Sequence, residues 1–251
     1  MLTLFIAVYP LLLSAQQDTV AAGVYKWKDP VPGKDALTAA VLFQGSTTDL
    51  AFLQVTANRI VRTNNKMVLP HDVKESLLII KSGALAISLN DSSWVLGKGS
   101  IALVMPGEQC LVQSAAKEPC EFYLMSYLSK SFFAKNNVAK HLNPAVVDWK
   151  KVVFTPHDKG GIRKFLEQPT DMLKRLEIHV STLNAGIKSH EPHTHRAAEI
   201  ILMLEGDTEM QIGEEFKQGV GGDVYFLSGN VLHAIRNKGV KPAIYFAIQF
   251  E

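Results

Sequence analysis

Short apolar runs alternate with turn-forming residues along most of the chain. In residues 85–90 the apolar Leu85, Ile87 and Leu89 are separated by Ala and Ser and followed by Asn90. Successive side chains of a strand point to opposite faces, so this alternation predicts strands with one buried face. Because Gly, Asn, Asp and Pro interrupt the runs at short intervals, the pattern predicts an all-β chain of barrel type.

The pattern occurs twice. Gly83 and Gly206 each follow an apolar run, and Gly99 and Gly222 each close a hairpin farther along the chain. The two glycines of each pair, Gly83 with Gly206 and Gly99 with Gly222, are 123 residues apart. Self-similarity at one fixed spacing indicates two copies of one structural unit. We therefore predict two tandem β-barrels.

Length and composition agree with two small domains. The chain has 251 residues, of which 47% are hydrophobic, and its mean hydropathy is +0.08, which is enough for packed cores. We place the barrels at 24–130 and 161–251. The connection, 131–160, is predicted to contain a short helix at 131–141 and an extended arm at 144–156.

Charge and hydropathy narrow the range of partners. The formal net charge is +2 and no basic stripe is present, which argues against nucleic acid. No apolar run is long enough to span a bilayer. The expected partner is a small-molecule substrate or ligand, and the sequence leaves a homodimer open.

Residues 1–15 differ from the rest of the chain. They are almost wholly apolar and end in the small residues Ser14 and Ala15 before a polar stretch. This arrangement resembles a signal peptide cleaved after Ala15, which predicts a periplasmic or secreted protein. The alternative is a hydrophobic first strand in a cytoplasmic protein, which Pro10 disfavours because proline interrupts a central strand.

A cluster of potential metal ligands lies near the C-terminus. His193, His195 and Glu199 share one parity, so in an extended chain their side chains face the same way. His233 would join them from a neighbouring strand. Three imidazoles and one carboxylate leave about two positions open on an octahedral divalent ion. The set predicts one manganese, iron, nickel or zinc ion; the alternative is a scatter of unrelated surface histidines.

The glycines around this cluster carry a family resemblance. Gly186 and Gly206 flank the first three candidate ligands at the spacing of the first cupin signature, and Gly222 precedes His233 as in the second. The second motif departs from the family at Ser228, where proline is usual. The chain thus resembles the cupin superfamily and, through its repeat, the two-barrel bicupins. The resemblance implies jelly-roll barrels with the metal inside the C-terminal one.

Two classes of function are compatible with this resemblance. In the first, the ion is a Lewis acid that holds a small oxygen-bearing substrate for a hydrolase, isomerase or oxygenase reaction. The chain is loosely similar to ureidoglycine aminohydrolases, while its three histidines and one glutamate are closer to germin-like oxidases and dioxygenases. In the second, the barrel binds or senses a sugar or organic acid without turnover. We expect an enzyme.

The repeat predicts a degenerate metal site in the N-terminal barrel. With a one-residue shift before the first glycine turn, the four ligand positions are taken by Leu69, His71, Glu75 and Cys110 in that order. Such a set could bind zinc, but a site that has lost its metal is favoured because Leu69 offers no ligand atom. Cys110 and Cys120 form either a disulfide or two free buried thiols.

Further polar residues are candidates for the pocket. His179 alternates with apolar neighbours and is a catalytic candidate if its face points into the barrel; otherwise it lies at a rim or an interface. Tyr245 and Gln249 share one face of the last strand and are candidates for binding substrate. Arg175 and His190 are weaker candidates, since surface and loop positions account for them equally well.

Overall fold

The computed structural model describes residues 18–30, 37–61, 66–69, 73–131 and 145–251. Within these ranges the chain consists of β-strands and one 3-10 turn, Trp149–Lys151. The predicted leader and the predicted helix, apart from Ser131, lie outside the described residues. No described residue belongs to a helix long and apolar enough to cross a membrane.

The strands fall into two series joined by a short connection. The first series is β1 (Gly23–Tyr25), β2 (Leu37–Gly45), β3 (Leu50–Ile60), β4 (Met67–Val68), β5 (Glu75–Ser82), β6 (Ala84–Leu89), β7 (Ser92–Gly97), β8 (Ile101–Val104), β9 (Cys110–Ser114) and β10 (Cys120–Ser129). The connection holds β11 (Ala145–Val147) and β12 (Thr155–His157). The second series is β13 (Gly160–Gln168), β14 (Leu176–Leu183), β15 (Ala198–Glu205), β16 (Asp207–Ile212), β17 (Glu215–Val220), β18 (Val224–Leu227), β19 (His233–Asn237) and β20 (Ala243–Phe250).

The strands build two barrels, each from a large and a small antiparallel sheet. The N-terminal barrel combines the sheet β11-β8-β5-β10-β3-β2 with the sheet β4-β9-β6-β7. The C-terminal barrel combines the sheet β1-β18-β15-β20-β14-β13-β12 with the sheet β17-β16-β19. The predicted all-β fold of two tandem jelly-roll barrels is therefore confirmed.

The repeat predicted from the glycines extends to whole strands. Each of β5 to β10 begins 123 residues before its counterpart among β15 to β20. The four turn glycines all have positive φ, between 77° and 102°. At Gly206 space is also limiting, because an added Cβ would lie 2.7 Å from the Cα of Ala243. These turns need glycine for conformation and for room.

The two barrels exchange short strands. β1 precedes the N-terminal barrel in sequence but pairs with β18 of the C-terminal barrel, and β11 pairs back with β8. The large sheets also share the largest hydrophobic core, to which Leu77 and Tyr123 contribute from one barrel and Ile200 and Phe246 from the other. Each barrel has a separate interior core of its own. One face of each large sheet thus faces the partner barrel, and the other faces its own interior.

Candidate metal centre

Three histidines meet at one end of the C-terminal barrel. His193 and His233 form a β-bridge in which each backbone N–H donates to the other residue's carbonyl, at 3.2 and 3.0 Å. His193 and His195 lie on the segment before β15, and Glu199 lies within β15. The nearest ring nitrogens of His193, His195 and His233 are all within 4.8 Å of one another. The structure thus brings together the three imidazoles that the spacing singled out.

Backbone carbonyls orient two of the rings. The Nδ1 atom of His195 is 2.9 Å from the carbonyl of Ala197, and that of His233 is 2.8 Å from the carbonyl of Val231. A carbonyl only accepts, so each Nδ1 carries the proton and donates it. In the neutral imidazole the Nε2 lone pair is then free. Both Nε2 atoms are buried and have no hydrogen-bond partner.

Glu199 lies against these two free nitrogens. Its carboxylate is buried, and Oε2 is 3.4 Å from Nε2 of His195 and 3.3 Å from Nε2 of His233. Burial by itself raises the pKa of Glu199, but the hydrogen bonds and positive charges that His195 and His233 would offer when protonated outweigh it and bring the pKa down to about 2. Glu199 is therefore ionised at neutral pH. Two nitrogen lone pairs and a carboxylate oxygen repel one another unless a cation lies between them.

The donor set fits a divalent metal ion. Burial lowers the pKa of His193, and the neighbouring imidazoles lower it further, so that ring is neutral and can act as a ligand. The pKa of His195 is raised by the hydrogen bond that its protonated ring would donate to Glu199, so the gap between them favours a positive charge, which a proton or a metal ion can supply. Imidazole and carboxylate ligands without thiolate suit manganese, iron, nickel or zinc.

The cluster opens into a cavity of about 480 Å³. His179, Tyr245 and Gln249 all line it, so the polar face of β14 and of β20 points into the barrel. Burial lowers the pKa of His179 and raises that of Tyr245 to about 12. At neutral pH the imidazole is therefore unprotonated and the phenol retains its proton. His190 also borders the cavity, with its ring centroid 4.3 Å from that of His193.

A row of polar side chains crosses three strands beneath the cluster. Glu177 on β14 pairs with Gln249 on β20, which pairs with Glu199 on β15. The Gln249 amide donates to Oε1 of Glu199 at 3.4 Å, and Arg175 donates to the Gln249 carbonyl at 3.5 Å and to Glu177. Glu177 Oε1 is also 3.3 Å from Nδ1 of His179. Sequence reasoning missed this row, because strand register across a sheet leaves no mark in the sequence.

The N-terminal barrel departs from the alignment predicted above. Leu69 donates its N–H to the Cys110 carbonyl, as His193 does to that of His233, so this pair matches the prediction. The counterpart of Glu199, however, is Ser76 and not Glu75. Ser76 pairs with Ser126 and Val104 in the register in which Glu199 pairs with Gln249 and Leu227.

The predicted one-residue shift therefore ends before β5 begins. Glu75 faces the partner barrel, where the Tyr127 hydroxyl donates to it. His71 lies outside the described residues. Cys110 and Cys120 are free buried thiols whose pKa values burial raises to about 12. They lie in different sheets of the barrel. Across the described ranges, the one group of residues that could hold a metal ion is the histidine cluster of the C-terminal barrel.

Comparison with known proteins agrees with this architecture. Residues 179–249 match the family model of the cupin domain. Protein Ylba from E. coli is 14% identical with a TM-score of 0.69, and 96% of each chain is covered. AerE from Microcystis aeruginosa is 14% identical with a TM-score of 0.67, covering 90% of this chain and 98% of its own.

An enzyme is also among the similar structures. Oxalate decarboxylase from Lactobacillus farciminis, in complex with formate, is 12% identical with a TM-score of 0.66, covering 92% of this chain and 87% of its own. No curated protein sequence matches the chain. At such identities the likeness shows the fold alone. Residues 179–249 therefore form a cupin domain, and the chain as a whole has the two-barrel fold of the bicupins.

Proposed function

We propose that the C-terminal barrel is the active site of a metal-dependent enzyme. One divalent ion is held by His193, His195, Glu199 and His233, and a small oxygen-bearing substrate binds at the remaining positions. The observation that carries the proposal is the pair of buried Nε2 atoms without a partner, both within 3.4 Å of one Glu199 oxygen. A bound ion turns this repulsive arrangement into a complete ligand set.

The ion would supply Lewis acidity, which polarises a substrate oxygen. The chain's own residues supply the remaining functions. The Arg175–Gln249 pair orients Glu199 through its second oxygen, which fixes the direction of the coordinating one. Tyr245 retains its proton and can donate to a substrate oxygen. His179 is unprotonated and can accept a proton from a substrate in the cavity.

A binding or sensing function without turnover is the second candidate. A cavity with only apolar walls would favour it. The walls do include Ile201 and Met210, but they also carry His179 and Tyr245, whose opposite protonation states at neutral pH suit a base and a hydrogen-bond donor. This pairing favours catalysis, in a reaction of the hydrolase, isomerase or oxygenase type. Oxalate decarboxylase, whose fold is similar, is named for a reaction on a dicarboxylate.

Metal content tests the first half of the proposal. Elemental analysis of protein expressed in metal-rich medium should return one equivalent of a divalent ion per chain. His233→Ala should lose most of it, because it removes one of four ligands. The matched control is Cys110→Ala, at the equivalent position of the other barrel, which should retain the ion. Two equivalents, none, or equal loss in both variants would contradict the assignment.

Ligand binding tests the second half. In a cobalt-substituted sample, oxalate or malonate should perturb the metal spectrum, since two carboxylate oxygens can occupy neighbouring coordination positions. Acetate is the control for charge without chelation and should act more weakly. If the ion only holds the strands together, the spectrum will not respond to oxalate or malonate at millimolar concentration. Metal removal will then lower the melting temperature without abolishing any activity.

A further inference from the structure

The N-terminal barrel also has a cavity, in which Leu69 and Ser76 replace two of the candidate metal ligands. The cavity measures about 390 Å³ and is lined from β2, β3, β5 and β10. Leu69 and Ser76, which occupy the places of His193 and Glu199, are among its lining residues. Its volume lies within the usual range of small-molecule pockets, about 300–1,000 Å³. Among the described residues, the replacement of these ligands therefore leaves a cavity in the barrel.

The cavity retains the polar row of the other barrel in an uncharged form. Gln54 on β3 pairs with Ser126 on β10, which pairs with Ser76 on β5. These three residues stand at the strand positions of Glu177, Gln249 and Glu199, 123 residues later in the sequence. The two carboxylates of that row have thus become an amide and a hydroxyl. The row can still form hydrogen bonds, but it has no charge to hold a metal ion.

The inward face of β3 is also more polar than packing alone requires. Gln54, Thr56 and Asn58 line the cavity, whereas the intervening Leu53 and Val55 belong to the core between the barrels. A barrel interior with a purely structural role is expected to be apolar, because each enclosed polar group must find a partner. Each already has a protein partner, namely Gln44 for Gln54, the Leu124 carbonyl for Thr56 and Thr56 for Asn58. They therefore give the cavity a polar wall, and a hydrogen bond to a ligand falls to the serine pair.

The hydrogen bonds of this wall leave donor capacity toward the cavity. The hydroxyls of Ser76 and Ser126 are 2.9 Å apart, so one donates to the other. The second hydroxyl can then donate its proton to an acceptor inside the cavity. On β3 the Asn58 amide donates to Thr56 Oγ1 at 2.8 Å, which keeps both side chains in place. A ligand oxygen near the serine pair would complete the network.

We propose that the N-terminal barrel is a separate, metal-independent site for a small organic molecule with an apolar body and a neutral hydrogen-bonding group, such as an amide or alcohol. The apolar body would pack against side chains such as Leu69 and Leu124. The head group is neutral because the row beneath it is neutral. Lys74 is the one charged lining residue in the described ranges, and its Nζ lies 5.3 Å from the centroid of the Phe52 ring.

Three probes of equal chain length test this proposal: hexanamide, hexanoate and hexylamine. Binding to the full-length protein is followed by protein-observed NMR or calorimetry, in chelator so that the other barrel holds no metal. Hexanamide should bind saturably, with a Kd of about 1 mM. Hexanoate and hexylamine should each bind at least roughly fivefold more weakly, because a charged head must be desolvated beside a neutral row.

Two kinds of variant locate the site. Ser76→Leu fills the cavity and should weaken hexanamide at least roughly tenfold, about 1.4 kcal/mol. Ser126→Ala removes the hydroxyl without adding bulk to the cavity and covers the case in which Ser76→Leu does not fold; it should weaken binding roughly threefold or more. His233→Ala, in the other barrel, should change the affinity by less than about twofold, since additivity holds between distant sites.

Several results would overturn the proposal. These are no saturable binding of hexanamide by about 10 mM, tighter binding of hexanoate or hexylamine, and wild-type affinity in Ser76→Leu or Ser126→Ala. Loss of binding on chelation would also contradict a metal-independent site. None of these measurements depends on metal in the C-terminal barrel, so this proposal and the proposed function fail or stand separately.

Discussion

Glu75 is a buried carboxyl at the contact between the two barrels. It has 0% exposed surface; the Tyr127 hydroxyl donates to one of its oxygens, and the backbone N–H of Met172 donates to the other at 3.3 Å. Burial is the largest influence and raises the pKa of Glu75 from 4.5 to about 7, although these hydrogen bonds act to lower it. The folded protein therefore holds this proton at pH values where the unfolded chain has lost it.

The consequence is a pH-dependent loss of stability. Folding takes up a proton between pH 4.5 and about 7, so the contribution of Glu75 is fully favourable below 4.5 and is lost as the pH rises through 7. The gap between the two pKa values corresponds to about 3 kcal/mol of unfolding free energy. Glu75→Gln removes this dependence. Its amide has one acceptor oxygen in place of two, which costs about 1 kcal/mol at every pH.

The substitution should therefore stabilise the protein increasingly as the pH rises above about 5. At about pH 8, Glu75→Gln is expected to exceed the parent by about 2 kcal/mol, and at about pH 5 the two should be nearly equal. For a chain of this size the difference at the higher pH is roughly 4–8 °C in Tm. Urea or thermal unfolding across this range, in chelator so that metal binding adds no pH dependence, measures it. Glu214→Gln, an exposed position, is the matched control.

The reasoning fails if the stability of Glu75→Gln follows the parent curve at a constant offset, or if the variant is less stable than the parent at the higher pH. Either result would mean that Glu75 is ionised in the folded protein and that its hydrogen bonds outweigh its burial. The control should leave the pH profile unchanged. If it flattens the profile as well, surface charge and not Glu75 governs the dependence.

Three further predictions concern the metal site, a turn and the N-terminus. Gln249→Leu should lower metal affinity roughly 10–100-fold without touching a ligand, because Glu199 loses its orienting amide; unchanged affinity in a chelator competition would remove Gln249 from that role. Gly206→Ala, where the added Cβ meets backbone, should destabilise by about 2 kcal/mol more than Gly213→Ala, where φ is also positive but the space is open; equal unfolding free energies would contradict the steric argument. If residues 1–15 are a signal peptide, mass spectrometry of protein from its native host should find Gln16 at the N-terminus, and an intact Met1 would rule this out.

Features set by local chemistry could be predicted from the chain alone. Gly83 and Gly206 occupy turns with positive φ, a conformation that disfavours a side chain, so they mark the repeat directly. The spacing of His193, His195 and Glu199 is also local, because a few extended residues suffice to bring such side chains to one place. The fold class and the histidine cluster followed from these two signals.

Alternation along a strand left the direction of each face open. His179 and Val180 lie on opposite faces of β14, and two-residue periodicity alone does not tell which face meets the barrel interior. Packing between the barrels decides the direction. The two large sheets pack on each other, so the more apolar face of each sheet is buried between the barrels and the polar face lines the cavity. The sequence of one barrel alone does not show which face is inward, because the partner barrel buries the other face.

Register across strands was the other property that required tertiary structure. The alignment that set Glu75 opposite Glu199 was wrong because side-chain direction reverses with every residue, and only the pairing of Ser76 with Ser126 shows where the one-residue shift ends. The row through Gln249 arises in the same way, from residues far apart in sequence. Residue types and local spacing thus specify the candidate ligands, while hydrogen bonding between distant strands selects the groups that surround them.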